Sequence, residues 1–320
     1  MTRSPRTMTE VIARRLLQLV PLLFGITLGG FLLLRLLPGD PALAILQFRA
    51  TPDLVEKLHA DFGLDKTVPE QFAIFLGRLL HGDLGTSYVM NQPVTQLIME
   101  QLPTTLALVA LATFLSIAFA SPLALLAALR RDSLWDKAIR GLLIVNVGVP
   151  SFCIGLLLLL VFGAELRLFP VGGYGLTLRE HVHHLVLPTL TLAVTIGPIV
   201  LRALRTSLVE QLRSEHVAMA RAKGLPWRTI LSRHVLRNAL IPTVTLLGIN
   251  AGILLGGTVL VETIYGIPGT GQLLFTAIRD RDYPLVQAIT MAFAVLAVFI
   301  QLLTDITYLM LDPRTRTRAS

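Results

Sequence analysis

The chain is poor in charge and nearly free of cysteine. Only 15% of its 320 residues are Asp, Glu, Lys or Arg, while 53% are hydrophobic and the mean hydropathy is +0.69. A typical soluble domain carries about 25% charged residues, so too few are present to cover a water-exposed fold. The single cysteine, Cys153, excludes an intrachain disulfide and a Cys-based zinc site, and leaves the redox compartment open. The apolar excess also excludes a disordered tail and a small secreted fold. No G-x-x-x-x-G-K-[ST] occurs, since Lys57, Lys66, Lys137 and Lys223 all lack that context. The chain therefore has no P-loop to cradle ATP, and any ATP-driven work needs a separate subunit. H-E-x-x-H is absent as well, and no pair of carboxylates falls inside an apolar stretch.

What is present is a set of long apolar runs. A bilayer core of about 30 Å needs roughly 20 apolar residues in a helix. Six charge-free stretches approach that length: Leu16–Leu34, Leu102–Leu129, Gly141–Ala164, Leu185–Leu201, Ala239–Val261 and Tyr283–Thr304. The fourth is the shortest and carries Pro188, Gly197 and Pro198. As buried helices of a soluble protein, six such runs would have little left to bury them. The expected fold class is an all-α membrane protein with six transmembrane helices.

The net charge of +8 then has a direction. With the N-terminus inside, 19 of the 28 basic residues lie on the inner side, with 7 of the 20 acids. The balance is +12 inside and −4 outside, as the positive-inside rule requires. Both termini are expected in the cytoplasm. Residues 1–15 form an inner segment, 16–34 the first span and 35–101 a large external loop. Residues 102–311 form a core of five spans with an inner loop at 202–238, and 312–320 an inner tail. A cleaved signal peptide is the rival reading of the first span, with Arg14-Arg15 before it and Ala42-Leu43-Ala44 after it. A signal h-region is only about 7–15 residues long, shorter than this run.

Two loops carry helix signals. In the external loop, Thr51-Pro52-Asp53 is a helix start with Thr as N-cap and Pro at the first position, and that helix is expected to end near Gly63. A second start at Val68-Pro69-Glu70 places Phe72, Phe75, Leu76 and Leu79 on one face, ending near Gly82. These helices either lie on the membrane or cap the bundle, or they dock a partner that delivers substrate. In the inner loop, one helical stretch holds Val209, Leu212, Val217 and Ala220 and closes at Gly224. Pro226 opens a second, with Trp227, Ile230, Leu231 and His234 on one face. The small residues Ala218, Ala220, Ala222 and Gly224 beside Arg221 and Lys223 suit a cleft on another protein, or a basic surface resting on anionic membrane lipid.

At this loop the sequence resembles a known family. Glu215-His216-Val217-Ala218-Met219-Ala220-Arg221-Ala222-Lys223-Gly224-Leu225, followed by Arg233 through Pro242, is similar to the coupling loop of bacterial ABC importer permeases, above all dipeptide and oligopeptide permeases. Further matches run in the family's order. They are Arg35-Leu36-Leu37-Pro38-Gly39-Asp40-Pro41, Gly82-Asp83-Leu84-Gly85-Thr86-Ser87, Pro103-Thr104-Thr105-Leu106, Gly256-Gly257 with Val261-Glu262, Pro268-Gly269-Thr270-Gly271, Arg281-Asp282-Tyr283-Pro284 and Asp312-Pro313-Arg314. The resemblance implies a non-enzymatic subunit of the bacterial inner membrane that binds no cofactor itself. Its implied partners are a second permease, two ATP-binding subunits carrying ATP and Mg, an external substrate-binding protein and a peptide; no nucleic acid is implied. The ATPase-coupling segment would comprise Glu215, Ala218, Ala220, Arg221, Ala222, Lys223 and Gly224, with Arg221 and Lys223 as the ATPase contacts. The chain departs from the wider importer pattern, because Ala218 stands where that pattern has a Glu.

Other residues bear on the transport path. Gly248, Gly252 and Gly256 recur every four residues, a stripe suited to close helix packing, with a path or partner contact as the second reading. Asn250 in the same stretch is disfavoured facing lipid and is expected to point inward. Asn250, Gly252, Gly256 and Glu262 are the candidate path residues. Asp305 is expected to pair with an inner-loop arginine. His181, His183 and His184 raise the question of a metal, but only Glu180 lies near enough to join them, and no metal site is expected. The expected function is peptide import through a path shared with a second permease. The alternatives are an ABC permease for glutathione, a nickel chelate or another small solute, and an ion-coupled secondary transporter or channel. That last class usually shows mid-span carboxylates, which this chain lacks.

Overall fold

Helix caps, prolines and small residues shape the chain, seen in a computed structural model that describes residues 8–36, 51–62 and 66–311. Among the described residues there are helices and no strand. The Arg35–Pro41 and Asp312–Arg314 motifs and the Ala42–Ala44 site fall wholly or largely outside them.

Helices α1 (Met8–Leu36), α2 (Pro52–Phe62) and α3 (Val68–Leu80) open the chain. The start expected at Val68-Pro69-Glu70 is present, and Thr67 caps it: the Glu70 carboxylate accepts from the Thr67 N–H at 3.0 Å and the Thr67 hydroxyl at 2.9 Å. These bonds hold the Glu70 carboxyl below its usual range. The apolar face of α3 lies on α1, where Phe72 meets Phe31 edge-on at 5.0 Å and Phe75 stacks on Phe31 at 6.1 Å. Helix α3 thus packs on α1 through its phenylalanines.

Next come α4 (Val94–Leu129), α5 (Leu134–Val147), α6 (Ser151–Glu165, its last turns widened to π geometry) and α7 (Leu178–Leu212). A single helix over Gly141–Ala164 was the expectation, and the structure breaks it between α5 and α6. Pro150 has no N–H and disfavours helical backbone at the residue before it, so the chain restarts at Ser151 with Pro150 as cap. Helix α4 lies along α7. Ala112, Ser116, Ala120, Ala124 and Ala128 recur every four residues on its buried face, and the Ser116 hydroxyl lies 3.2 Å from the Ala193 carbonyl of α7. This stripe supplies the close packing.

The remaining helices are α8 (Glu215–Ala222), α9 (Trp227–Ile249), α10 (Ala251–Tyr265), α11 (Thr270–Arg279) and α12 (Tyr283–Leu311). The fifth apolar stretch is bent, with α9 and α10 meeting at 54°. Asn250 forms the corner, its side-chain amide donating to the Leu246 carbonyl at 2.7 Å, a local bond that competes with a continued helix. The glycine stripe therefore does not work as one. A Cβ on Gly248 would fall 2.6 Å from Thr304 of α12, whereas Gly252 and Gly256 have open space. The inner-loop helix is also divided, because α7 takes Val209 and Leu212 and α8 takes Val217 and Ala220, with Arg213 and Ser214 between them.

Helices α4, α7 and α12 are each long and apolar enough to cross a membrane, and the bent α9–α10 pair passes the same test as one unit. The apolar part of α1, Leu17–Leu32, and α6 are shorter. The six expected stretches fall on helices, the third divided between α5 and α6, and three helices or, with the bent pair, four pass the length and hydropathy test among the described residues.

Candidate functional site

Helix α8 is short and held at two points. Its Val217 and Ala220 are buried in a cluster with Leu208 of α7 and Ile230 and Val235 of α9. Glu215, His216, Ala218, Arg221, Ala222 and Lys223 are exposed, and Met219 shows 60% of its surface. The turn that ends it needs Gly224, whose φ of +74° is strained for other L residues. Just beyond, the Arg221 guanidinium lies 4.9 Å from the Trp227 ring centre, a cation–π contact. The result is a protruding patch with an apolar part (Met219, Leu225, Trp227) and a cationic part (Arg221, Lys223). Among the described residues no acid pairs with either cation.

The base of this patch is tied down by an ion pair. Asp136 of α5 is fully buried and receives a bidentate bond from Arg205 of α7, at 2.6 and 2.7 Å. Arg140 stands at 3.5 Å and the Asp132 N–H at 3.0 Å. The Arg205 hydrogen bond holds the Asp136 carboxyl below its usual range, against the burial that raises it. Nothing in the spacing of the sequence marks these two residues as partners.

At the opposite end of α10 three of the motifs meet. Glu262 is fully buried. One carboxylate oxygen accepts from the Thr105 hydroxyl at 2.7 Å, and the other from the N–H groups of Gly271 (2.7 Å) and Gln272 (3.0 Å). Thr105 accepts in turn from the Thr270 N–H at 2.9 Å and its hydroxyl at 2.8 Å. The carboxylate thus caps the N-terminus of α11, where free N–H groups and the helix dipole favour an anion. Gly269 and Gly271 permit the approach, since a Cβ on Gly271 would lie 2.7 Å from the Val259 Cα. Glu262, one of the candidate path residues, is thus buried in this chain with its carboxylate engaged by these three donors.

A second pair of motifs joins nearby. The Ser87 hydroxyl donates to the buried Asp282 carboxylate, which also accepts from the Val89 N–H at 3.4 Å. Asp83 accepts from the Gly85 N–H at 2.9 Å and shapes the preceding turn. The histidines fasten the loop before α7. His183 bonds the Leu168 carbonyl at 3.1 Å, His184 bonds that of Gly173 at 2.9 Å, and His181 stacks on Tyr174 at 4.1 Å. Glu180 is engaged by the N–H groups of Leu176 and Thr177, at 2.7 and 3.2 Å. No cluster of three metal-ligating side chains occurs among the described residues.

Of the path candidates, Asn250 sits at the bend while Gly252 and Gly256 face open space. Sequence reasoning missed a groove of about 370 Å³ between α7 and α9, walled by Pro198, Arg202, Ala203 and Glu210 on one side and Pro242 and Leu246 on the other. Pro198, Arg202, Thr206 and Glu210 follow one another at intervals of four on α7, a spacing that could have shown the face.

The chain has relatives along nearly its whole length. The family described as binding-protein-dependent transport system inner membrane component matches residues 120–317, and its N-terminal counterpart matches 8–109. A putative peptide transport system permease protein of Brucella abortus is 37% identical, over 97% of this chain and 99% of that protein. A glutathione transport system permease protein of Pectobacterium atrosepticum is 36% identical, over 97% and 99%. In fold, the chain is similar to a subunit of the inward-facing MetNI methionine ABC transporter, with a TM-score of 0.57 and 16% identity over 68% of this chain and 97% of that one. The two family matches take in nearly all of its helices, and the chain belongs to the binding-protein-dependent transport system inner membrane components, the multi-pass permeases of ABC importers.

Proposed function

We propose that this chain is one of two permeases in a peptide importer, with six spans and both termini in the cytoplasm. It couples to a separate ATPase through α8. The observation that carries the reading is the two-faced α8: Val217 and Ala220 are buried in the bundle while Met219, Arg221 and Lys223 are exposed. A helix held in this way transmits a push from a docked partner to α7 and α9 without deforming. The Asp136–Arg205 pair fixes the same end of α7. The translocation path follows the α9–α10 bend at Asn250 and the open faces of Gly252 and Gly256.

A peptide is the substrate class because relatives of nearly equal length are named for peptide transport. Glutathione, itself a peptide, is the second reading, on the strength of the Pectobacterium relative. The test is ATP-dependent uptake into vesicles bearing the permease pair, its ATPases and its binding protein, with labelled dipeptide, tripeptide and glutathione in competition. Uptake of the simple peptides supports the first reading. Uptake of glutathione alone supports the second, and ATP-independent uptake contradicts both.

A further inference from the structure

The groove between α7 and α9 is lined by two opposite charges two turns of helix apart. Arg202 and Glu210 both line it, and among the described residues neither makes a side-chain ion pair or hydrogen bond. Eight residues of helix separate them, about 12 Å at 1.5 Å per residue. The rest of the lining carries no charge: Pro198, Ala203, Pro242 and Leu246 are apolar, and Thr206 and Ser207 lie between the two charges along α7. An unpaired guanidinium and an unpaired carboxylate at this spacing suit a ligand that is negative at one end, positive at the other and uncharged between. An extended peptide advances about 3.3–3.6 Å per residue, so three or four residues bring a free carboxylate and a free ammonium to that separation. The groove volume falls in the usual range for small-ligand sites, about 300–1,000 Å³.

We infer that this groove is a binding site for a short zwitterionic peptide, its carboxylate on Arg202 and its ammonium on Glu210. The inference rests on the peptide-import reading and gives it a site within the permease itself. A guanidinium holds a carboxylate through two parallel bonds, so the Arg202 end supplies most of the orientation. Charges at the termini and uncharged walls make the site select for length and free ends rather than for charged side chains.

The test uses the complete importer in vesicles, with trialanine and trialanine amide as probes at concentrations that saturate the binding protein. Arg202→Gln is expected to lower trialanine uptake about tenfold and to leave amide uptake unchanged, since the amide has no carboxylate to lose. Glu210→Gln is expected to weaken both. Stimulation of ATP hydrolysis by the loaded binding protein should persist in each variant, which shows that the complex is assembled. In a Cys153→Ser background, trialanine should slow alkylation of Ala203→Cys. Equal trialanine uptake in wild type and variants overturns the site. So does an equal loss for peptide and amide in Arg202→Gln, or a crosslink from Ala203→Cys to the second permease with no protection by peptide. A wild-type importer that carries neither probe fails on the peptide reading itself, and the site falls with it.

Discussion

The Thr105 hydroxyl donates to the Glu262 carboxylate at 2.7 Å, although 157 residues separate the two in the chain. This bond, with those from Gly271 and Gln272, joins α4, α10 and α11 at a point fully shielded from solvent. Glu262→Ala leaves the N–H groups of Gly271 and Gln272 and the Thr105 hydroxyl without their acceptor. An unsatisfied buried polar group costs about 1–3 kcal/mol, so the variant should show a clearly lowered melting temperature in detergent. Gly271→Val should lower it too, by driving a side chain against the Val259 backbone. Melting curves equal to wild type contradict the account of this knot.

The Asp136–Arg205 pair predicts a pH dependence. The folded carboxyl titrates below the unfolded one, so its contribution to stability is present above the unfolded pKa of about 3.9 and is lost as pH falls through the folded pKa. Between pH 5 and 7 Asp136→Asn should be less stable than wild type by a constant margin. The gap should close as pH falls below about 4. A margin that grows on acidification contradicts the assignment, and chemical unfolding at a series of pH values measures it.

Gly224 has open space around it and a left-handed backbone, so conformation and not bulk governs what is tolerated. Other L residues lose about 1–2 kcal/mol there, whereas Asn adopts this region more readily. Transport by Gly224→Asn should therefore exceed that of Gly224→Val, even though Asn and Val are of similar size. Equal activities indicate that the turn does not set the position of α8.

Sidedness is open to labelling. In a Cys153→Ser background, single cysteines at Lys137 and Lys223 should resist an impermeant thiol reagent applied outside intact cells. A cysteine at exposed Asn91 should react. The reverse pattern contradicts the proposed orientation.

How far the sequence reveals the molecule depends on the range of each signal. Helices α2 and α3 are legible because Thr51-Pro52 and Val68-Pro69-Glu70 act within one turn of the residues they organise. The segment Ala218–Gly224 is legible because a run of small residues beside two cations is local as well. The bend at Asn250 is not, since an amide in an apolar run looks alike whether it faces a pore or turns onto its own helix. Small residues at intervals of four occur in both α4 and α9–α10, and only the neighbours decide that Ala112 to Ala128 are packed while Gly252 and Gly256 are open. Glu262 and Asp136 find partners in distant segments, and no spacing rule links a carboxylate to a threonine or arginine so far along the chain.

The central claim is that α8 transmits ATP-driven motion. It is tested most directly by Arg221→Glu/Lys223→Glu in the complete importer, with ATP hydrolysis and peptide uptake measured in the same vesicles. The account predicts that uptake falls at least about tenfold and that the loaded binding protein no longer stimulates hydrolysis, while the permease pair remains folded and assembled. Uptake and stimulated hydrolysis at wild-type levels would contradict it.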